Sequence, residues 1–185
     1  MDRGDAWFGG EGVIASLMTP PVDIRPATEE DLPLILSFIR KLAVYERLAH
    51  QVEATEEVLR SSLFGPVPKA EVLLAFVEGN PAAFALYFHN FSTFVGRPGL
   101  YLEDIFVDET HRGKGIGTAL FTRLAHIAVE RGCQRFEWAV LDWNDSAIGF
   151  YDNLGAHRLA DWQLYRLTGE ALERLASRLQ EGTSS

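Results

Sequence analysis

Cysteine is nearly absent from this chain of 185 residues, and the lone Cys133 excludes an internal disulfide or a cysteine-rich metal site. Five histidines are scattered without HExxH or any paired ligand spacing, so no metal centre is expected. Basic residues are in short supply. Seventeen Lys and Arg against 26 Asp and Glu give a formal charge of -9, which argues against a nucleic-acid surface or an anionic membrane as partner. The same acidity suits a cationic substrate. No apolar run approaches the ~20 residues of a membrane span, and no basic stretch followed by a long apolar one marks a secretory signal. These absences point to a soluble protein of a reducing compartment, with the cytoplasm as the default.

What is present fits one globular domain: 47% of residues are hydrophobic and 23% charged. Residues 1–21 differ from the rest, with four glycines before residue 13 and Pro20-Pro21 at the end. They read as a flexible N-terminal extension, with Met18 an alternative start, and residues 22–185 as the domain proper.

Val22–Pro26 reads as a short strand. Thr28 to Asp31 supplies an N-cap and an acidic first turn to an amphipathic helix reaching about Tyr45, and Thr55 opens a shorter helix to about Leu63. Val72–Val77, Ala82 to Phe88 or beyond, and Leu100–Val107 are apolar strands set too close together for helical crossovers, so this part of the sheet is antiparallel. A helix from about Ile116 to Arg131, a strand Phe136–Val140, a short helix from Asp145 to Leu154, a strand Trp162–Leu167 and a last helix complete the chain. The fold class is α/β: a mixed, mostly antiparallel twisted sheet of about six or seven strands flanked by helices.

The most informative stretch is Arg112-Gly113-Lys114-Gly115-Ile116-Gly117-Thr118, placed between a strand and a helix. Such a turn leaves backbone N–H groups unpaired at the positive end of the helix dipole, and alternate glycines let the backbone close around phosphate oxygens. The spacing GxGxG is neither the GxxxxGK[ST] of a Walker loop nor the GxGxxG of a Rossmann fingerprint. On residues alone, an anion cradle and a tight turn with no ligand both remain open.

The motif resembles the [RQ]xxGx[GA] segment of the GCN5-related N-acetyltransferase (GNAT) superfamily. The likeness continues in Tyr101-Leu-Glu-Asp-Ile-Phe-Val107, in Val140-Leu-Asp-Trp-Asn144 and in Phe150-Tyr151 followed by Leu154-Gly-Ala156, and it covers about residues 22–180. Val44-Tyr45-Glu46, LEDxFV and LDWN are similar to the diamine (spermidine/spermine) and thialysine acetyltransferase branch. The resemblance implies acetyl-CoA as co-substrate, with its pyrophosphate on the amides of Arg112, Gly113, Lys114, Gly115, Ile116, Gly117 and Thr118. It implies that the pantetheine arm pairs with Ile105, Phe106 and Val107, one of whose amides faces the thioester carbonyl. Asn144, Asp145 and Ser146 match a segment that also borders CoA. Tyr151 matches the general acid that protonates the leaving thiolate, and Glu103 the acid implicated in substrate binding and proton removal through water.

An alkyl amine, with a pKa near ~10, must lose a proton before it attacks. Glu103 stands among apolar neighbours, where a carboxylate needs a partner or a raised pKa. Tyr45, Glu46, Glu103 and Asp104 are the candidate acceptor-binding residues, with Asp142 further off. In a regular strand Glu103 and Asp104 point to opposite faces, and both serve one site only if the strand is bulged. No serine or cysteine has a base at a recognisable spacing, and Cys133 reads as a buried filler, so direct attack in a ternary complex is expected. The acceptor is a small primary amine, whether a polyamine, a diamine or a thialysine-like amino acid. A peptide or protein acceptor and a non-catalytic acyl-CoA sensor are the alternatives. Related enzymes are commonly homodimers, to which the aromatic run Phe84 to Phe94 and the last strand could contribute.

Overall fold

A computed structural model gives the structure, which describes residues 21–181. The extension 1–21 and Met18 within it lie, apart from Pro21, outside the described residues. Contacts divide the chain into a first unit that ends at Ala139 and a second that begins at Val140.

The first unit holds one sheet in the order β1 (Val22–Pro26), β2 (Glu71–Val77), β3 (Asn80–Ser92), β4 (Arg97–Val107) and β5 (Phe136–Trp138). Its first three junctions are antiparallel and the last is parallel. Connection lengths follow from these directions. The β2–β3 hairpin turns on Glu78 and Gly79, at φ 52 and 78, the left-handed pair that a tight hairpin needs. The parallel step from β4 to β5 takes a crossover helix, α3 (Ile116–Glu130).

Between β1 and β2 run α1 (Leu32–Tyr45) and α2 (Glu56–Phe64). Asp31 closes a capping box with Thr28 and takes two hydrogen bonds from Arg25, at 2.7 and 2.8 Å. Pro33 falls in the first turn of α1, where no N–H is required of it. Leu32, Ile35, Leu36, Phe38, Leu42 and Ala43 bury the inner stripe of α1. Phe38 stacks on Phe84 of β3 at 5.5 Å between ring centroids, with Phe106 of β4 beside them. Each such side chain contributes about 1.5–3 kcal/mol through burial. A third helix of this unit, α3, buries Ile116, Leu120, Phe121, Leu124, Ile127 and Ala128, and its Phe121 packs on Phe136 and Trp138 of β5.

In the second unit, α4 (Asp145–Asn153) is capped by Asn144, whose side chain accepts from the Ala147 N–H at 3.2 Å, and α5 (Gly169–Glu181) follows.

The α/β class and the mixed, mostly antiparallel sheet are as the residue patterns imply, but the strand count is five. Trp162–Leu167 is not a strand, and Trp162, Leu164 and Tyr165 are exposed. Its alternating pattern suits an edge strand, and it pairs with no strand among the described residues. The strand expected over 136–140 stops at Trp138, for a reason that lies in β4 and is given below. The aromatic run Phe84 to Phe94 is not an exposed surface either. Phe84 and Tyr87 are buried in the sheet, and only Phe91 and Phe94 stand out.

Candidate active site

The glycine turn takes the shape that its spacing demands. Gly113 and Gly115 have φ 73 and 78, a region that costs a side-chain-bearing residue about 1–2 kcal/mol. Gly115 is the N-cap of α3, and the helix's first ladder bond runs from the Ala119 N–H to the Gly115 carbonyl at 2.9 Å. The N–H groups of Ile116, Gly117 and Thr118 precede that ladder and point out of the helix start. A Cβ built on Gly113 or Gly115 would meet nothing within 4 Å, so the outer side of the turn is open. Unpaired N–H groups at the positive end of the helix dipole give this turn the backbone chemistry that suits an anion.

The second feature is a break in register. Leu86 pairs with Asp104 but Tyr87 pairs with Leu102, so Glu103 is an extra residue in β4. Such a bulge bends its strand and turns two adjacent side chains toward one partner. It coincides with the end of β5, whose last pairing is Leu102 with Trp138. From Glu103 to Val107, β4 therefore runs on with no strand paired on its β5 side among the described residues. This explains why β5 is shorter than its sequence implies: the strand it would follow bends away.

The bulge also resolves how neighbouring acids can share a site. Burial first, and then the charges of Glu103 and Glu46, together push the Asp104 carboxyl up to about 6. Burial raises the Glu46 carboxyl as well. Glu46, Glu103 and Asp104 are thus one electrostatic cluster. The acid that sits in the apolar surroundings is Asp104, whereas Glu103 is exposed, because the bulge lifts it out of the ladder.

Glu46 is placed by the end of α1. Arg47 adopts φ 63, and the Leu48 N–H closes back on the Ala43 carbonyl at 2.8 Å, a left-handed helix stop. This turn is fastened to the loop after β4. Lys41 Nζ lies 2.7 Å from Asp108 Oδ2, and Asp108 also accepts from the Thr110 N–H and hydroxyl. The Arg112 guanidinium carbon lies 4.6 Å from the centre of the Tyr45 ring and 5.7 Å from that of Phe106, while its Nε donates to the Val107 carbonyl at 3.1 Å.

An acetyltransferase (GNAT) family model matches residues 39–156, which take in the end of α1, the bulge, the glycine turn and α4. The chain belongs to the GNAT family. The thialysine N-epsilon-acetyltransferase of Mus musculus is 41% identical over 166 residues, covering 84% of this chain and 97% of that protein. The L-ornithine N5-acetyltransferase of Arabidopsis thaliana is 35% identical over 197 residues, covering 82% and 86%. Among solved structures, an integron cassette protein of V. cholerae superposes with a TM-score of 0.71 at 30% identity, covering 84% of this chain and 97% of that one.

In this GNAT chain, Glu46, Glu103 and Asp104 gather at the bulge of β4, Tyr45 lies under Arg112 past the end of that strand, and the edge from Ile105 to Val107 runs on toward the glycine turn. Asn144, Ser146 and Tyr151 belong to the second unit and share the helix α4 or its cap. The Tyr151 ring packs against Phe150 at 5.5 Å, and its carbonyl accepts from the Ala156 N–H at 3.2 Å. Cys133 is half-buried, not the buried filler its position suggested. It follows the far end of α3, some ~22 Å along that helix from the glycine turn.

Sequence reasoning missed Lys41 and Asp108. The available signal was the spacing of Lys41 and Tyr45, four residues apart and so on one face of α1. Among the described residues no group of three or more His, Cys, Asp and Glu could hold a metal, and no helix is long and apolar enough to cross a membrane. An open cavity of about 550 Å³ lies at the other end of β2, lined by Glu71, Tyr87 and His89 among others. None of the candidate site residues lines it.

Proposed function

We propose that this N-acetyltransferase moves the acetyl group of acetyl-CoA to a primary amine of a small molecule, a polyamine, a diamine or a thialysine-like amino acid, by direct attack in a ternary complex. The observation that carries the reading is the free edge of β4 from Glu103 to Val107, which joins the backbone cradle at Gly113–Thr118 to the acids at the bulge. An unpaired strand edge accepts an extended amide-bearing chain as it would another strand, and pantetheine is such a chain. In this reading Arg112, Gly113, Lys114, Gly115, Ile116, Gly117 and Thr118 hold the pyrophosphate. Ile105, Phe106 and Val107 hold the arm, and one of their N–H groups faces the oxygen that gains charge during attack. Asn144 and Ser146 border the cofactor from the α4 segment.

Glu46 and Asp104 attract the ammonium form of the acceptor, with Tyr45 at the entry. Glu103, exposed beside Asp104, receives the proton that the amine sheds before its lone pair reaches the acetyl carbon, directly or through water. As the new C–N bond replaces the C–S bond, Tyr151 gives its phenolic proton to the departing thiolate, and the proton shed by the new amide nitrogen restores the phenol through water. No protein nucleophile is needed, consistent with Cys133 lying beyond the opposite end of α3. The activities named for the relatives, on thialysine and on ornithine, favour an acceptor with a terminal alkyl ammonium, the group that three crowded carboxylates recognise.

Residues 22–185 act in this proposal as one acetyltransferase domain, and a single cysteine fits a cytoplasmic setting. We infer a homodimer as well, because Trp162, Leu164 and Tyr165 present apolar side chains on a segment with strand character and no paired strand. Light scattering should give twice the chain mass for the native protein and a reduced mass for Leu164→Glu. The decisive assay is a panel of spermidine, putrescine, thialysine, ornithine and lysine with acetyl-CoA, read by mass spectrometry. At least one acetylated product is expected, and no turnover of any small amine would transfer the proposal to a peptide or protein acceptor.

A further inference from the structure

Lys41 and Tyr45 stand one turn apart on α1, and both hold the loop that follows β4. Lys41 pairs with Asp108 at 2.7 Å, and Asp108 organises the short turn through Thr110. Tyr45 lies under the guanidinium of Arg112 at 4.6 Å, while the Val107 carbonyl accepts from Arg112 Nε at 3.1 Å and Glu109 approaches Nη1 at 3.8 Å. The arginine is therefore held by the ring beside its guanidinium carbon and by the carbonyl on its Nε.

We propose that Tyr45 is a positioning residue for the donor, holding Arg112 pre-set beside the backbone cradle so that its remaining N–H groups meet the pyrophosphate. This rests on reading the glycine turn as a pyrophosphate cradle. A free arginine side chain must give up several rotamers when it binds an anion. Holding the cation over a ring removes that freedom beforehand without spending its N–H donors on another acceptor. The carbonyl of Val107 fixes the stem but takes only Nε. Tyr45 thus serves the donor as well as the acceptor entry, and the last turn of α1 is part of the CoA site although it carries no phosphate-binding motif.

The test measures calorimetric affinity for CoA and for 3′-phospho-ADP, the pyrophosphate half of CoA, with competition by acetyl-pantetheine, which has no pyrophosphate. Tyr45→Leu should weaken CoA and 3′-phospho-ADP together by roughly three- to thirty-fold, with acetyl-pantetheine competing as before, whereas Tyr45→Phe should stay within about twofold of the parent. Arg112→Lys, which leaves the ring in place, should show a loss of the same order. In an Arg112→Met background, Tyr45→Leu should add nothing.

Equal weakening of acetyl-pantetheine, or a Tyr45→Leu loss that persists undiminished in the Arg112→Met background, would mean general loosening of α1 and overturn the proposal. So would unchanged CoA affinity in a folded Tyr45→Leu protein. Gly115→Glu separates the two levels. If it abolishes CoA binding while Tyr45→Leu does not weaken it, the cradle stands and the role of Tyr45 falls. If Gly115→Glu binds CoA normally, the cradle itself falls.

Discussion

The glycine turn and the acid cluster stand at the two ends of one free strand edge and are made of different materials. At the turn the groups on offer are backbone: N–H groups ahead of the α3 ladder and two glycines at positive φ. At the bulge they are side chains, three carboxylates brought together from the end of α1 and from β4, with burial and mutual charge raising Asp104. A backbone cradle fits any pyrophosphate of suitable geometry and hardly depends on which side chains surround it. A carboxylate cluster is strained until a cation enters, so its preference depends on spacing, burial and pH. On the proposed reading, the donor end can stay constant while the acceptor end is retuned.

The contrast is broken most severely at the turn. Gly115→Glu combines a side chain at φ 78 with a negative charge at the helix start, and both effects oppose the donor. Acetyl-CoA binding should vanish from calorimetry in a protein that still melts cooperatively. Gly115→Ala, which carries only the backbone cost of about 1–2 kcal/mol, should bind weakly but measurably. If the two variants bound alike, charge would not matter at the turn and the cradle would lose its electrostatic half.

The next largest effect belongs to neither end but to the leaving group. Tyr151→Phe should lower kcat by roughly 10²- to 10⁴-fold, the usual worth of a positioned acid, and leave acetyl-CoA affinity nearly intact. A kcat and pH–rate profile equal to the parent's would remove Tyr151 from the proton path.

How much of this was legible in the residues follows the same divide. The turn could be read because glycine spacing constrains backbone directly: positive φ at Gly113 and Gly115 is a local property, and so is a helix start at Ile116. The sheet order and the inner stripe of α1 were legible through periodicity. The bulge was not, since an extra residue in β4 is defined only against its partner β3. Reading Glu103 as the acid in apolar surroundings failed for that reason, and the burial fell on Asp104. The stacking of Arg112 on Tyr45 brings together residues far apart in the chain, and no local pattern encodes it. Trp162–Leu167 shows the converse: alternation is present, yet no strand is paired with it.

The acceptor end can be sharpened by separating its acids. Glu103→Gln should reduce kcat/KM for the amine by about 10²-fold and shift the acid limb of the pH–rate profile, with acetyl-CoA affinity unaltered. A pure KM effect with an unmoved profile would make Glu103 an ammonium contact and not the proton acceptor.

Asp104→Asn is the mildest change to turnover and the most telling about electrostatics. The folded carboxyl titrates at about 6 because burial, then Glu103 and Glu46, oppose its charge, whereas an unfolded aspartate titrates near ~3.9. A raised folded value means that the native state prefers the neutral acid. Its contribution to stability is full below about pH 4, is lost as the pH climbs through about 6 and is gone above that. A shift of about two units corresponds to at most ~3 kcal/mol. In urea titrations Asp104→Asn should therefore gain stability over the parent at pH 8 and show no gain at pH 4. A bound diamine should supply the missing counter-charge, so putrescine should raise the parent's Tm more at pH 8 than at pH 5 and lose most of that difference in the variant. Equal stability of the two proteins at pH 8 would show that the cluster is not crowded, and the strained-until-occupied account of the acceptor end would then be wrong.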